Sequence, residues 1–154
     1  MSHNHEKEHK RIVASLAEQF KDILEYSEQA VYIYLDDVNK VCNRNFSSLL
    51  GYKSPKEWAG VSDNFPTTFV AKKSQRVLIK AYQSAMTSLV GSTIDVTWKT
   101  KDGHEVETTT ILVPIAHHGH TITLHFIEAK QQAWKKIPGR GTVRSSGRRR
   151  LELS

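Results

Sequence analysis

Three kinds of side chain in this 154-residue sequence could do chemistry: one cysteine, eight histidines, and the carboxylates of Asp36 and Asp95. A cysteine acts as nucleophile or metal ligand only as its thiolate, which needs an activating base or cation nearby. The next cation after Cys42 is Arg44, and Cys42 ends the short run KVC, so it reads as a small core residue. A single cysteine makes neither an internal disulfide nor a cysteine-based zinc site. His117, His118 and His120 crowd one predicted turn, while His3, His5 and His9 lie in a polar arm. Imidazoles so placed could hold a divalent ion loosely. Neither set has the spacing or carboxylate partners of a built site, so both read as solvated and no metal is assigned. His125 alternates with Leu124 and Phe126, where it faces either a ligand, the N-terminal helix or solvent.

The elements that must position these groups follow from periodicity. From His9 to Glu28, Val13, Leu16, Phe20 and Ile23 recur at helical spacing, with Ile12 and Leu24 widening the stripe. About two heptads of this kind suit equally a helix lying on its own domain and one pairing with a second copy. AVYIYLDD alternates as a strand, DDVN turns, and KVC is a short second strand. Asn43 is placed to cap a helix whose apolar face is Phe46, Leu49 and Leu50, and Gly51 stops it. Ser54, Pro55 and Glu57 open another short helix as a capping box. A long helix is predicted over 72–90 on the stripe Leu78, Tyr82, Ala85 and Leu89, with Gly91 as its C-cap. Three strands, STIDVTWKT, HEVETTTILVPIA and TITLHFIEA, then close the chain through KDG and HHGH turns.

The net charge is +6, but residues 135–154 hold seven of the bases and a single acid, so the preceding residues balance. From Ile137 the composition turns Gly, Ser and Arg rich and reads as a disordered basic tail. It has no aromatic after Trp134 to stack on bases, so only weak, non-specific nucleic-acid contact is expected of it. No apolar run reaches the roughly 20 residues of a membrane span, and the polar N-terminus is unlike a signal peptide. A protein without membrane attachment, in a reducing cytoplasm, is the expectation.

ILEYSEQAVYIYLDD, VCNRNFSSLLGYKSPKEWAG, the long helix, KTKDGHEVETTTILVPI and TITLHFIEA together resemble a PAS domain, the sensor fold of signalling proteins, over about residues 20–130. The run N-x-x-F-x-x-L-L-G-Y before a capped short helix, and the K-D-G turn before a long strand, carry the likeness. It implies an α+β fold: a five-stranded antiparallel sheet in the order 2-1-5-4-3, with helices on one face around a small pocket. The organisation is then a flexible polar arm (1–8), an amphipathic helix (9–28), the PAS domain (29–130) and the tail (131–154).

Flavin-binding blue-light members carry a cysteine in the short helical segment after the capped helix, whereas VSDNFPTTFV has none and Cys42 precedes that helix. Haem-binding members use a histidine on the long helix, and none occurs between Gly51 and Asp102, which leaves only Met86 or a histidine elsewhere for iron. The cofactor is thus unknown. Pocket candidates are Phe65, Phe69, Leu78, Tyr82 and Met86 on the helical side, Ile111 or Leu112 opposite, and His125; each apolar one serves equally as core. The resemblance implies a sensor rather than an enzyme, homodimeric through Val13, Leu16, Phe20 and Ile23, responding to a small apolar ligand or a partner protein that supplies the output. EAK stands where members commonly carry a D-I-T-like motif leading to an output helix. The competing reading is a small NTF2-like enzyme using Asp36 or Asp95 with His125 as acid and base.

Overall fold

The computed structural model describes residues 2–130, with side chains from Lys7 onward. The expected basic tail, 131–154, lies outside the described residues. Eleven elements follow in order: α1 (Ser2–Gln19), α2 (Lys21–Tyr26), β1 (Ala30–Tyr34), β2 (Lys40–Cys42), α3 (Arg44–Leu49), α4 (Pro55–Ala59), α5 (Phe65–Phe69), α6 (Lys72–Ser88), β3 (Ser92–Lys99), β4 (Glu105–His117) and β5 (His120–Ala129). The strands form one antiparallel sheet in the order β2-β1-β5-β4-β3.

The sheet has two unlike faces. Ala30, Tyr32, Val96, Trp98, Leu112 and Ile127 point inward and pack on Phe46, Trp58, Phe65, Phe69 and Leu78 of α3 to α6 and on Leu50, the C-cap of α3. Ile33, Ile122 and Leu124 point outward, where Ile12 and Leu16 of α1 cover them, with Phe20 beside them. β1, β2, β4 and β5 therefore alternate between two cores, one per face, while β3 contributes to the inner one alone.

The N-terminal helix departs from the sequence reading at both of its ends. It begins at Ser2 rather than His9, so residues 2–8, expected as a flexible arm, are its first turns. Their apolar periodicity is absent, but Glu and Lys are good helix formers without it. The helix also breaks at Phe20 and ends at Tyr26 instead of Glu28, where Ser27 turns extended. Of the two uses open to its apolar stripe, Leu16 follows the first, fully buried on its own sheet with Phe20 beside it, whereas Val13 is half-buried and Ile23 exposed.

Local chemistry sets the corners. Asn43 Oδ1 accepts from the Phe46 amide at 3.0 Å and also from Val31 N at 3.0 Å, while Asn43 Nδ2 donates to Gln29 O at 2.9 Å. One side chain both caps α3 and fastens the start of β1. Ser54 Oγ accepts from Glu57 N at 3.0 Å, and Glu57 Oε1 accepts from Lys53 N at 2.6 Å, one residue outside the reciprocal bond of a standard capping box. The C-cap of α6 is Leu89, left-handed at φ 56, not Gly91. Gly91 is required for a different reason: a Cβ there would stand 3.0 Å from the Leu112 carbonyl.

β4 returns into β5 through His118 and Gly119, both at positive φ, the two-residue turn whose twist suits antiparallel strands. The open edge at β3 is closed by the approach to α6, since Ala71 N donates to Thr97 O at 2.9 Å and Thr97 N to Ser74 Oγ at 2.9 Å. At the other edge Lys40 is buried, its Nζ donating to the carbonyls of Asp37 (2.5 Å), Ala59 (3.2 Å) and Val61 (2.5 Å) beneath the Trp58 ring. Desolvation lowers its pKa, and the three carbonyls satisfy its donors.

Candidate ligand pocket

The inner face leaves a cavity of about 260 Å³ between the sheet and α6. Alternation on β1 delivers Tyr32 and Tyr34 to its wall, β5 delivers His125, α5 Phe65 and Pro66, and α6 Leu78, Ile79, Tyr82 and Gln83. Tyr32 and His125 are register partners on adjacent strands, and their rings stack at 4.0 Å with planes 9° apart. Tyr82 closes the far side, its ring 6.0 Å from that of His125 and nearly parallel to it at 19°.

The wall is tied by polar bonds at its rim. Tyr82 Oη donates to the Tyr34 carbonyl at 3.2 Å, Tyr34 Oη donates to Asp37 Oδ1 at 3.1 Å, and the same oxygen accepts from the Phe65 amide at 3.0 Å. Burial pushes the Tyr82 phenol up to about 12, and burial with the Asp37 charge raises Tyr34 as well. Both phenols stay neutral at any ordinary pH.

His125 is the chemical exception in this wall. Its side chain is 1 % exposed, and its Nδ1 is buried with no hydrogen-bond partner. Burial drives its pKa down to about 3, opposed by the backbone at Tyr32 and Thr123. The ring of a neutral, buried imidazole thus forms part of a cavity wall that carries no Asp, Glu, Lys or Arg. Buried polar atoms normally find partners, so the orphan needs an explanation.

No family model matches the chain, and no curated protein matches its sequence. Solved structures do match its shape. A PAS domain from Colwellia psychrerythraea is similar over 75% of this chain and 97% of its own, at TM-score 0.58 and 16% identity. The VqmA dimer of Vibrio cholerae, described as a LuxR-type receptor, is similar over 76% of this chain and 52% of its own, at TM-score 0.57 and 14% identity. A sensory box histidine kinase/response regulator from Burkholderia thailandensis is similar over 78% of this chain and 88% of its own, at TM-score 0.55 and 8% identity. The chain has the PAS fold.

Within that PAS fold the candidate residues divide. Phe65, Leu78, Tyr82 and His125 meet around the cavity. Phe69 lies in the core instead, 5.5 Å from the Trp58 ring, and Leu112 is buried in the same cluster. Met86 is half-buried, its Sδ accepting from Thr123 Oγ1 at 3.3 Å, and Ile111 points to the outer face. Tyr32, Tyr34, Pro66, Ile79 and Gln83 were missed by sequence reasoning. The signal for the first two was present: in AVYIY the aromatic set and the aliphatic set take opposite faces, and both are core.

The remaining chemical residues have other roles. Cys42 is a buried core thiol, pushed up to about 12 by burial. Three of the histidines read as solvated have partners on or beside α1: His9 Nδ1 meets Asp36 Oδ2 at 2.6 Å, His120 Nε2 meets Glu8 Oε2 at 3.2 Å, and the buried His117 meets Ser15 Oγ at 3.2 Å, whereas His118 is exposed as expected. Among the described residues no group of three or more such side chains is placed to hold a metal. The acid and base of the NTF2-like reading do not converge. Asp95 is exposed and pairs with Lys130 at 3.1 Å, Asp36 serves His9 and the Val38 and Asn39 amides, and His125 is buried on the inner face.

Proposed function

We propose that this PAS domain is a sensory module that takes up a small, mainly apolar ligand between its sheet and α6. The observation that carries the reading is a cavity walled by Tyr32, Tyr34, Phe65, Leu78 and Tyr82 together with the buried ring of His125. Ligand sites are concave, mostly apolar and marked by few convergent polar groups, and this one, at about 260 Å³, lies just below their usual size range. The solved relatives support a signalling context, since one is described as a receptor dimer and another as a sensory box kinase/response regulator.

Signalling requires that a ligand prefer one of two arrangements. α6 and α5 supply the movable side of the cavity, and their links to β1 pass through Tyr82, Tyr34 and Asp37. The output belongs to a partner protein. In a homodimer the second copy would meet the part of α1 and α2 not spent on the sheet, where Val13 is half-buried and Ile23 is exposed.

Native mass spectrometry of freshly purified protein, beside its absorption spectrum, tests this reading. A dimer that retains a small mass and is colourless is expected. A visible haem or flavin spectrum overturns the ligand class, and a cavity that binds nothing in calorimetric screens overturns the sensor.

A further inference from the structure

Resting on the reading of the protein as a homodimer, we infer that the exposed face of α6 in one copy receives α2 of the other, basic side chains against acidic ones, beside the mouth of the cavity. The solvent side of α6 carries Lys72, Lys73, Arg76 and Lys80 and no acid. Lys72, Arg76 and Lys80 recur every fourth residue, a spacing at which like charges destabilise a helix. Among the described residues none of the four bases reaches an acid, although Lys101 finds Glu57 at 2.6 Å and Lys130 finds Asp95 at 3.1 Å. Val77 and Ile79, each 39 % exposed, flank this basic stripe. Ile79 and the exposed Gln83 also line the cavity, so its mouth opens onto the same face.

α2 has the converse character. None of its residues is buried, and Ile23 and Tyr26 stand 36 % and 73 % exposed. Phe20 N donates to Leu16 O and Leu24 N to Phe20 O, so helical bonding crosses the break at Phe20 and keeps Glu18 in line with Asp22 and Glu25. Tyr26 and Ile23 follow beside these acids around the helix. Lys21 reaches Glu18 at 3.8 Å, but Asp22 and Glu25 pair with no described base, including Arg44, which shares a groove with Glu25.

An acidic strip with exposed apolar neighbours thus matches a basic strip of the same kind, and no ion pair joins the two within one chain. A second copy supplies what each strip lacks. Made twice about a two-fold axis, the contact closes a dimer. Exposed ion pairs hold little by themselves, so Ile23 and Tyr26 on Val77 and Ile79 supply the adhesion, and charge selects which surfaces meet. The α2 of one copy then roofs the cavity mouth of the other. A polynucleotide fits less well, since this face of α6 has no exposed aromatic to stack on bases and the α2 acids would stay unpaired.

The test is analytical ultracentrifugation of the whole chain. Expected is a dimer whose dissociation constant rises about tenfold or more between about 50 and about 500 mM NaCl. In D22K/E25K, and separately in R76E/K80E, like charges face each other and the dimer should be lost. Mixing the two variants should restore it, because each contact of the mixed dimer again joins acid to base. Tyr26→Ala should weaken the dimer and leave its salt dependence unchanged. Should a charge variant not fold, carbodiimide treatment of a wild-type dimer assembled from isotopically distinct copies must link a peptide holding Asp22 or Glu25 to one holding Lys72, Lys73 or Lys80 of the other copy. A dimer that survives both charge reversals, or variants that stay monomeric when mixed, overturns the contact and leaves the homodimer standing. A monomeric wild type overturns both, and one that binds single-stranded DNA or phosphatidylserine vesicles through Arg76 and Lys80 gives the face to a polyanion instead.

Discussion

On the outer face of the sheet Ile33, Ile122 and Leu124 meet Ile12 and Leu16 of α1 in an aliphatic contact. On the inner face Tyr32, Phe65, Tyr82 and His125 surround a cavity and leave a ring nitrogen without a partner. Branched aliphatic side chains adapt to one another and close-pack, whereas rigid rings meeting at fixed angles leave gaps. A void and an orphaned polar atom both cost stability. The void on the inner face, opposite a face filled by aliphatic side chains, marks the inner side as shaped for something other than packing.

The largest test of this contrast is at the corner away from the cavity. Phe46→Ala should cost about 3–5 kcal/mol in denaturant unfolding, because Phe46 is fully buried against Tyr32, Trp58 and Trp98. Leu16→Ala should cost about 3 kcal/mol from the outer face, by the same cavity argument. Its cost should not depend on protein concentration; a marked dependence would show that Leu16 is buried by a second copy instead.

A third test uses pH. Below about 6.5 the unfolded imidazole of His125 takes a proton, while the folded one does so only near 3. Stability from this group is therefore complete above pH 6.5 and declines by about 1.4 kcal/mol per unit as pH falls towards 3. The H125F variant should lose that share of the acid sensitivity, and an identical acid profile for both proteins would place His125 in solvent. Asn43→Ala should cost about 2 kcal/mol, more than an ordinary cap, since it also strands the Val31 amide. His9→Ala, which breaks a half-exposed pair with Asp36, should cost under about 1 kcal/mol, with hydrogen exchange in α1 rising more than in α6.

What was legible before the structure was whatever a local pattern encodes. The Asn43 and Ser54 caps, the KDG and HHGH turns and the alternation of β3, β4 and β5 stand where periodicity and turn chemistry put them, and with the family likeness they fixed the strand order. Burial across the sheet was less legible. The alternation of β1 did not say which set faces a pocket, because helices cover both faces and both parities, Tyr32 on one and Ile33 on the other, are core. His125 was ambiguous for the same reason: its apolar neighbours Ile122 and Leu124 belong to the face under α1, a partner that periodicity cannot place. Phe69 and Met86 share helical stripes with true wall residues, and only the angle at which a helix crosses the sheet separates wall from core.

Lys40 offers a use beyond architecture. Its amine is enclosed by three carbonyls under Trp58 and is 3 % exposed, while most of the other described lysines lie at the surface. An acylating reagent at low dose would modify those first and reach Lys40 only when the β2 edge opens. Its labelling rate, read by peptide mass spectrometry, becomes a clock for that opening event.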